Sequence, residues 1–133
     1  MPRGDNGRRT ASRHQRTEPQ IHWRSMCPIS SALDVVGDKW TILIIRDLII
    51  HGTRTYSEFL ESPEKISTNI LADRLNLLSS LKLIERIEPD AAARNNAFRL
   101  TASGAALQPV LEGLGRWSHT HLKAFHAGIL KIP

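Results

Sequence analysis

Ser67-Thr68-Asn69-Ile70-Leu71-Ala72-Asp73-Arg74-Leu75-Asn76-Leu77-Leu78 is the stretch on which the fold turns. Its leucines at 71, 75 and 78 share one face at helical spacing, so the run predicts an amphipathic helix opened by Ser67. A helix that only has to cover a core wants a charged outer face for solubility. Here Asn69, Ala72, Asp73, Asn76 and Ser80 leave that face short, nearly neutral and rich in hydrogen-bonding groups. Such a face suits the base edges of a major groove: asparagine can address adenine bidentately, and the methyls of Thr68 and Ala72 can meet thymine methyl groups.

The flanking elements fit a reading head. Upstream, Thr55-Tyr56-Ser57-Glu58 has capping-box spacing, Tyr56, Phe59 and Leu60 follow at i, i+3 and i+4, and a turn through Pro63 to Ile66 joins the two helices. Downstream, Leu83 to Ile87 and Ala97 to Thr101 are short strand-like runs around a polar stretch holding Pro89, Arg94, Asn95 and Asn96. Helix, strand, loop, strand is the order of a wing. The predicted class is mainly α with a small antiparallel β wing, a winged helix-turn-helix.

A frame surrounds this head. After Cys27-Pro28, the stripe Ile29, Ala32, Leu33, Val36 predicts a short helix that Gly37 ends in a left-handed cap. Asp38 then caps a second helix, Lys39 to Ile50, apolar around nearly its whole circumference, so it should be surrounded at the centre of the domain. Gly52 ends it before Thr53-Arg54-Thr55, a short strand able to pair with the wing. Thr101 can cap a long C-terminal helix, kinked at Pro109, with Leu107, Val110, Leu111, Leu114, Trp117 and His121 along one side. So small a core offers this stripe little partner surface. Together with Ile29 and Leu33 it is expected to pack against the same elements of a second chain, setting two recognition helices about 34–36 Å apart on a palindromic operator.

At 133 residues the chain is long enough for one core and little more. The formal charge of +5 suggests nucleic acid until it is located. Arg3, Arg8, Arg9, Arg13, Arg16 and Arg24 against Asp5 and Glu18 place most of it in residues 1–24, a stretch without hydrophobic periodicity that reads as a disordered basic tail ahead of a domain over 25–133. The case for nucleic acid therefore rests on where Arg54, Lys65, Arg74, Arg86, Arg94 and Arg99 stand. Ile42 to Ile50 is too short to span a bilayer and carries Arg46 and Asp47, which points away from a membrane; without a secretory signal the cytoplasm is the expected compartment.

Taken together, Cys27-Pro28-Ile29 with Ala32-Leu33, Gly37-Asp38-Lys39-Trp40, Tyr56-Ser57-Glu58-Phe59, Ile66-Ser67, Leu71, Arg74-Leu75, Leu78, Leu83-Ile84-Glu85-Arg86, Leu100-Thr101, Gly104, Leu107, Pro109-Val110-Leu111, Leu114 and Trp117 resemble the HxlR-type transcriptional regulators of the MarR-like group. The resemblance covers about residues 27–122. It implies a homodimeric DNA-binding repressor or activator whose recognition helix and wing touch DNA and whose terminal helices dimerise. Three departures stand out. Lys82 occupies a place where the family usually has glycine, Ala93-Arg94-Asn95 replaces a Pro-Pro-Arg run in the wing, and Ala97-Phe98 replaces Glu-Tyr.

The residues expected at double-stranded DNA are Lys65, Ser67, Thr68, Asn69, Ala72, Asp73, Arg74 and Asn76, with Arg94 and Asn95 at the wing tip. A carboxylate near phosphates repels unless paired, so Asp73 has to face cytosine or bond within the protein. Arg74, nearer the leucine side, divides between phosphate and an internal carboxylate such as Glu58. Cys27 invites two readings: a partly buried capping residue, or a thiol at a helix N-terminus that responds to oxidants and releases the operator, a role which some members of the resembling family give to the corresponding cysteine. A small-molecule effector is the other way to such a release. No cofactor or metal is expected, because His119 and His121 are two apart and do not share a helical face. Two rival functions remain open: a winged-helix module for protein assembly, favoured by the near-neutral domain, and an enzyme pairing Cys27 with His22, for which neither an oxyanion glycine loop nor a paired acid and base is present.

Overall fold

The computed structural model describes residues 21–88 and 96–132. In chain order the elements are α1 (Pro28–Val36), α2 (Thr41–His51), β1 (Thr53–Thr55), α3 (Tyr56–Phe59), α4 (Thr68–Ser80), β2 (Ile84–Arg86), β3 (Ala97–Leu100), α5 (Ala102–Ala105) and α6 (Gln108–Leu122). The three strands form one antiparallel sheet in the order β1-β3-β2. Thr53-Arg54-Thr55 does pair with the wing, in the register Arg54 opposite Phe98, and Arg86 faces Phe98 from the other side.

The core gathers Ile44, Ile45 and Leu48 of α2, Phe59 and Ile66 of the helix-turn-helix turn, the three leucines of α4, Ile84 and Phe98. Phe98 keeps the aromatic packing expected of it, its ring 6.4 Å from that of Phe59. The buried Gly104 leaves no room for a side chain, since a β-carbon there would come within 2.0 Å of the Leu83 carbonyl oxygen, which accepts from Thr101 N at 3.0 Å where the sheet meets α5.

Four local expectations change. Gly37 lies in the right-handed region at φ −79°, so α1 ends without a left-handed cap; Gly52 at φ 82° supplies one type of positive-φ exit after α2. Asp38 caps as predicted, accepting from Trp40 N and Thr41 N at 3.0 Å each, but the helix it starts begins at Thr41. That helix is surrounded only in part: Thr41, Ile44, Ile45, Asp47 and Leu48 are buried, Ile42, Leu43, Arg46 and Ile49 are half-buried, and Ile50 at its end is 66 % exposed, because the single subunit covers it incompletely. Finally, Pro109 does not kink one long helix. Thr101 caps the one-turn α5, accepting from Gly104 N at 3.2 Å, and Pro109 then sits in the first turn of α6, where its missing N–H costs no hydrogen bond.

Lys82 manages the bend after α4 in full. It takes φ 64°, its N–H donates to Ser79 O at 3.0 Å, and Leu83 N donates to Leu78 O at 2.9 Å, the paired bonds of a Schellman motif. A side chain in this conformation costs about 1–2 kcal/mol, part of which glycine recovers. Lys82→Gly is expected to raise the unfolding free energy by about 0.5–1 kcal/mol, read as a thermal midpoint a few degrees higher by calorimetry.

Candidate nucleic-acid interface

The reading helix is positioned from three sides. Ser67 adopts extended geometry (φ −76°, ψ 157°) and its hydroxyl accepts from Ile70 N at 3.3 Å, which starts α4 at Thr68. Leu71 and Leu78 are fully buried and Leu75 nearly so, which fixes the rotation of the helix about its axis. Tyr56 of α3 donates its hydroxyl to Thr68 O at 2.9 Å and pins the first turn. The α3 turn is itself held by a complete capping box: Glu58 N donates to Thr55 Oγ1 at 3.3 Å and Thr55 N to Glu58 Oε1 at 2.8 Å. The Thr55 N–H lowers the Glu58 carboxyl below its ordinary value against the opposing effect of desolvation.

With that rotation fixed, Ser67, Thr68, Asn69, Ala72, Asp73 and Asn76 all lie exposed along one side, and Lys65 is exposed at φ 63° just before them. The structure thus brings seven of the expected residues to the same end of the molecule, with the half-buried Arg74 at the margin. Arg74 does not reach Glu58, which its capping box occupies. Its guanidinium lies 3.5 Å from Asp38 Oδ1 and donates to Asp73 Oδ2, so the same side chain ties α4 to the start of α2 and neutralises the awkward carboxylate of Asp73. Burial opposes the charge on Asp38, yet hydrogen bonds from Thr41 and Trp40 and the Arg74 charge outweigh it and hold its carboxyl below the usual range. Arg94 and Asn95 lie outside the described residues.

Between α4 and the sheet runs a cleft of about 560 Å³ lined by Tyr56, Ala72, Asn76, Ser79, Arg86 and Phe98 among others. Arg86 is exposed there, its guanidinium 5.8 Å from the centre of the Phe98 ring. Of the basic residues whose placement had to decide the matter, this one was not singled out by sequence. A signal existed: period two from the buried Ile84 puts Arg86 on the side of the sheet that meets α4. Arg99, by contrast, is spent on its cross-strand partner Glu85, Nε to Oε2 at 2.8 Å, and Arg54 donates to the Glu58 carbonyl.

The residues expected at a subunit contact divide. Leu107 and Leu111 rest against the core. Ile29, Leu33, Val110, Leu114 and Trp117 are exposed apolar side chains on α1 and α6, and the His121 ring lies 5.5 Å from that of Trp117, tilted by 39°. Cys27 occupies the N-cap position of α1 without making a side-chain cap bond, and it is a free, exposed thiol. The capping position expected of this residue is the one it takes, but within the single subunit the thiol is exposed and not partly buried. His22, its partner in the enzyme reading, is exposed as well. No helix among the described residues is long and apolar enough to cross a membrane.

Comparison with known proteins agrees with this geometry. The profile described as HxlR-like helix-turn-helix matches residues 35–126. The HTH-type transcriptional regulator sll1512 of Synechocystis sp. is 33 % identical over 103 residues, covering 77 % of this chain and 75 % of that one. The HTH-type transcriptional regulator YodB of Bacillus subtilis is 32 % identical over 96 residues, 71 % of this chain and 84 % of its own. The structure of YodB in its reduced form superposes with a TM-score of 0.60 over 73 % of this chain and 95 % of that one, and its diamide-treated form with 0.54 over 74 % and 97 %. The redox regulator HypR in its reduced form, 22 % identical, shares the fold with a TM-score of 0.66 over 76 % of this chain and 99 % of that one. Matched over most of its length by this profile and by relatives of the same description, the chain belongs to the HxlR-like helix-turn-helix transcriptional regulators.

Proposed function

We propose that this regulator is a sequence-specific repressor that binds double-stranded DNA as a homodimer on a palindromic operator. The observation that carries the reading is the outward face of α4: exposed, almost uncharged and held in rotation by three buried leucines. Thr68, Asn69, Ala72 and Asn76 address bases; Lys65, Arg86 and the wing residues Arg94 and Asn95 address phosphates or the minor groove. The exposed stripes of α1 and α6 join two subunits so that the two α4 helices enter successive turns of one groove.

Footprinting on the DNA flanking the coding region tests the reading directly. A two-fold symmetric protected site is the expected result. Asn76→Ala should weaken binding to that site by about 1–3 kcal/mol, roughly 5- to 150-fold, while leaving binding to unrelated duplex nearly unchanged. Equal losses on both duplexes would remove Asn76 from base recognition.

Cys27 supports a second element of the proposal, that the operator is released by a thiol-reactive or oxidising signal or, failing that, by a small molecule. The support is its exposure at a helix N-cap on the face read as a subunit contact, together with a relative whose structure exists in reduced and diamide-treated forms. Diamide is expected to dissociate the wild-type complex and to leave Cys27→Ser bound, as followed by fluorescence anisotropy. Release of the serine variant at the same diamide concentration would assign the signal elsewhere.

A further inference from the structure

Between α2 and α6 lies a second groove of about 380 Å³, on the side of the molecule where α2 lacks cover. Its walls are aliphatic: Ile42, Leu43 and Ile49 from α2, Leu111 and Leu114 from α6, and Ile132 folded back from the C-terminal segment. Gly115 makes room for that last side chain, since a β-carbon there would stand 2.3 Å from Ile132 Cγ1. The volume falls in the range of small-molecule sites.

Charge at the rim is one-sided. The positive group on the wall, Arg46, is fully engaged: Nη1 and Nη2 donate to Glu64 Oε2 and Oε1 at 2.7 and 2.9 Å, and Nε and Nη2 to Asp47 Oδ1 at 3.0 and 2.8 Å. Those two carboxylates more than cancel it. The bond to Glu64 comes first in holding the guanidinium charged against desolvation. Glu112, on the opposite wall, receives Gln108 Nε2 at 3.1 Å, and among the described residues no cation stands within ion-pair distance of it. Arg116, one helical turn on, makes no ion pair with Glu112, and an apolar trough with an unpaired carboxylate at its edge favours cations over organic anions.

We propose that this groove binds an amphiphilic organic cation, with its apolar body on the α2 and α6 aliphatic walls and its charge beside Glu112. A second copy of the chain is the competing occupant. Leu114 belongs both to the groove wall and to the exposed stripe, but at 3.6 residues per turn Val110, Trp117 and His121 lie about 135° around α6 from Gln108, Leu111, Glu112, Gly115 and Ser118, so a subunit seated on the stripe meets the groove at Leu114 and leaves the Glu112 side open. The proposal is independent of the operator reading, and its test uses no DNA.

Titration of the full chain with tetraphenylphosphonium and with tetraphenylborate, ions of matched size and opposite charge, decides it by calorimetry. The phosphonium is expected to bind at least about tenfold more tightly than the borate, and Glu112→Gln to weaken the phosphonium about fivefold while leaving the thermal midpoint unchanged. Ile49→Asn removes apolar wall without adding charge and should weaken both ions. Equal affinity for the two ions, no effect of Glu112→Gln, or phosphonium binding that vanishes as sedimentation shows the chain self-associating would each overturn the proposal.

Discussion

Placing carboxylates in the exposed stripe of α6, as the double variant Leu114→Glu and Trp117→Glu, is expected to leave a folded monomer that has lost the operator. Both side chains are more than half exposed in the single subunit, 52 % and 56 %, so the subunit itself pays little for the change. In a two-fold contact each substitution meets its own copy or a close neighbour across the axis, and buried like charges cost several kcal/mol. A monomer engages one half-site, so affinity for the full site should fall by more than about 100-fold, through loss of the second, effectively intramolecular binding event. Sedimentation equilibrium and anisotropy on the same samples check the two halves of the prediction. A variant that remains dimeric moves the contact off α6; a monomer with unchanged affinity removes two-fold symmetry from recognition.

Leu71→Ala tests the other buttress of the interface. Leu71 is fully buried among the residues that join α4 to the sheet and to α2. Its truncation should lower the unfolding free energy by about 2–5 kcal/mol, from lost transfer energy and from the cavity left behind, a large part of the 5–15 kcal/mol typical of a domain. Urea denaturation should show the midpoint falling with little change in slope. A loss below about 1 kcal/mol would mean that the helix is not anchored through this face. Because the same leucine sets the rotation of α4, the surviving folded fraction should also bind DNA less well.

Much of this was legible in the chain because the relevant signals are local. The 3.6-residue spacing of Leu71, Leu75 and Leu78 gives both the helix and the face it turns outward, and Ser67, Thr55 and Thr101 announce three helix starts by hydroxyls that accept from backbone N–H groups three residues on. Signals fail where the deciding partner is distant or the choice is between neighbouring conformations. Nothing near Arg74 says that its carboxylates are Asp73 and Asp38 and not Glu58, and nothing near Arg46 names Glu64, eighteen residues on. Pro109 is compatible with a kink or with a fresh start; the one-turn α5 decides for the start. The apolar circumference of α2 predicted enclosure because a sequence does not say how many neighbours a single subunit supplies. Cys27 shows the converse: burial is common for a free thiol, yet the chain around it, from Met26 at 96 % to Ile29 at 73 % exposure, offers it no cover.

The pairing of Asp73 with Arg74 has a consequence for how such a molecule would travel along a chromosome. A helix face on which each sign of charge is matched adds little to indiscriminate adhesion, which arises from displaced counterions at phosphates. Time spent on arbitrary sequence is then governed by cations away from that helix, and the stopping point by its amides and methyls. Dwell and address can accordingly be altered separately, by mutation in different parts of the chain.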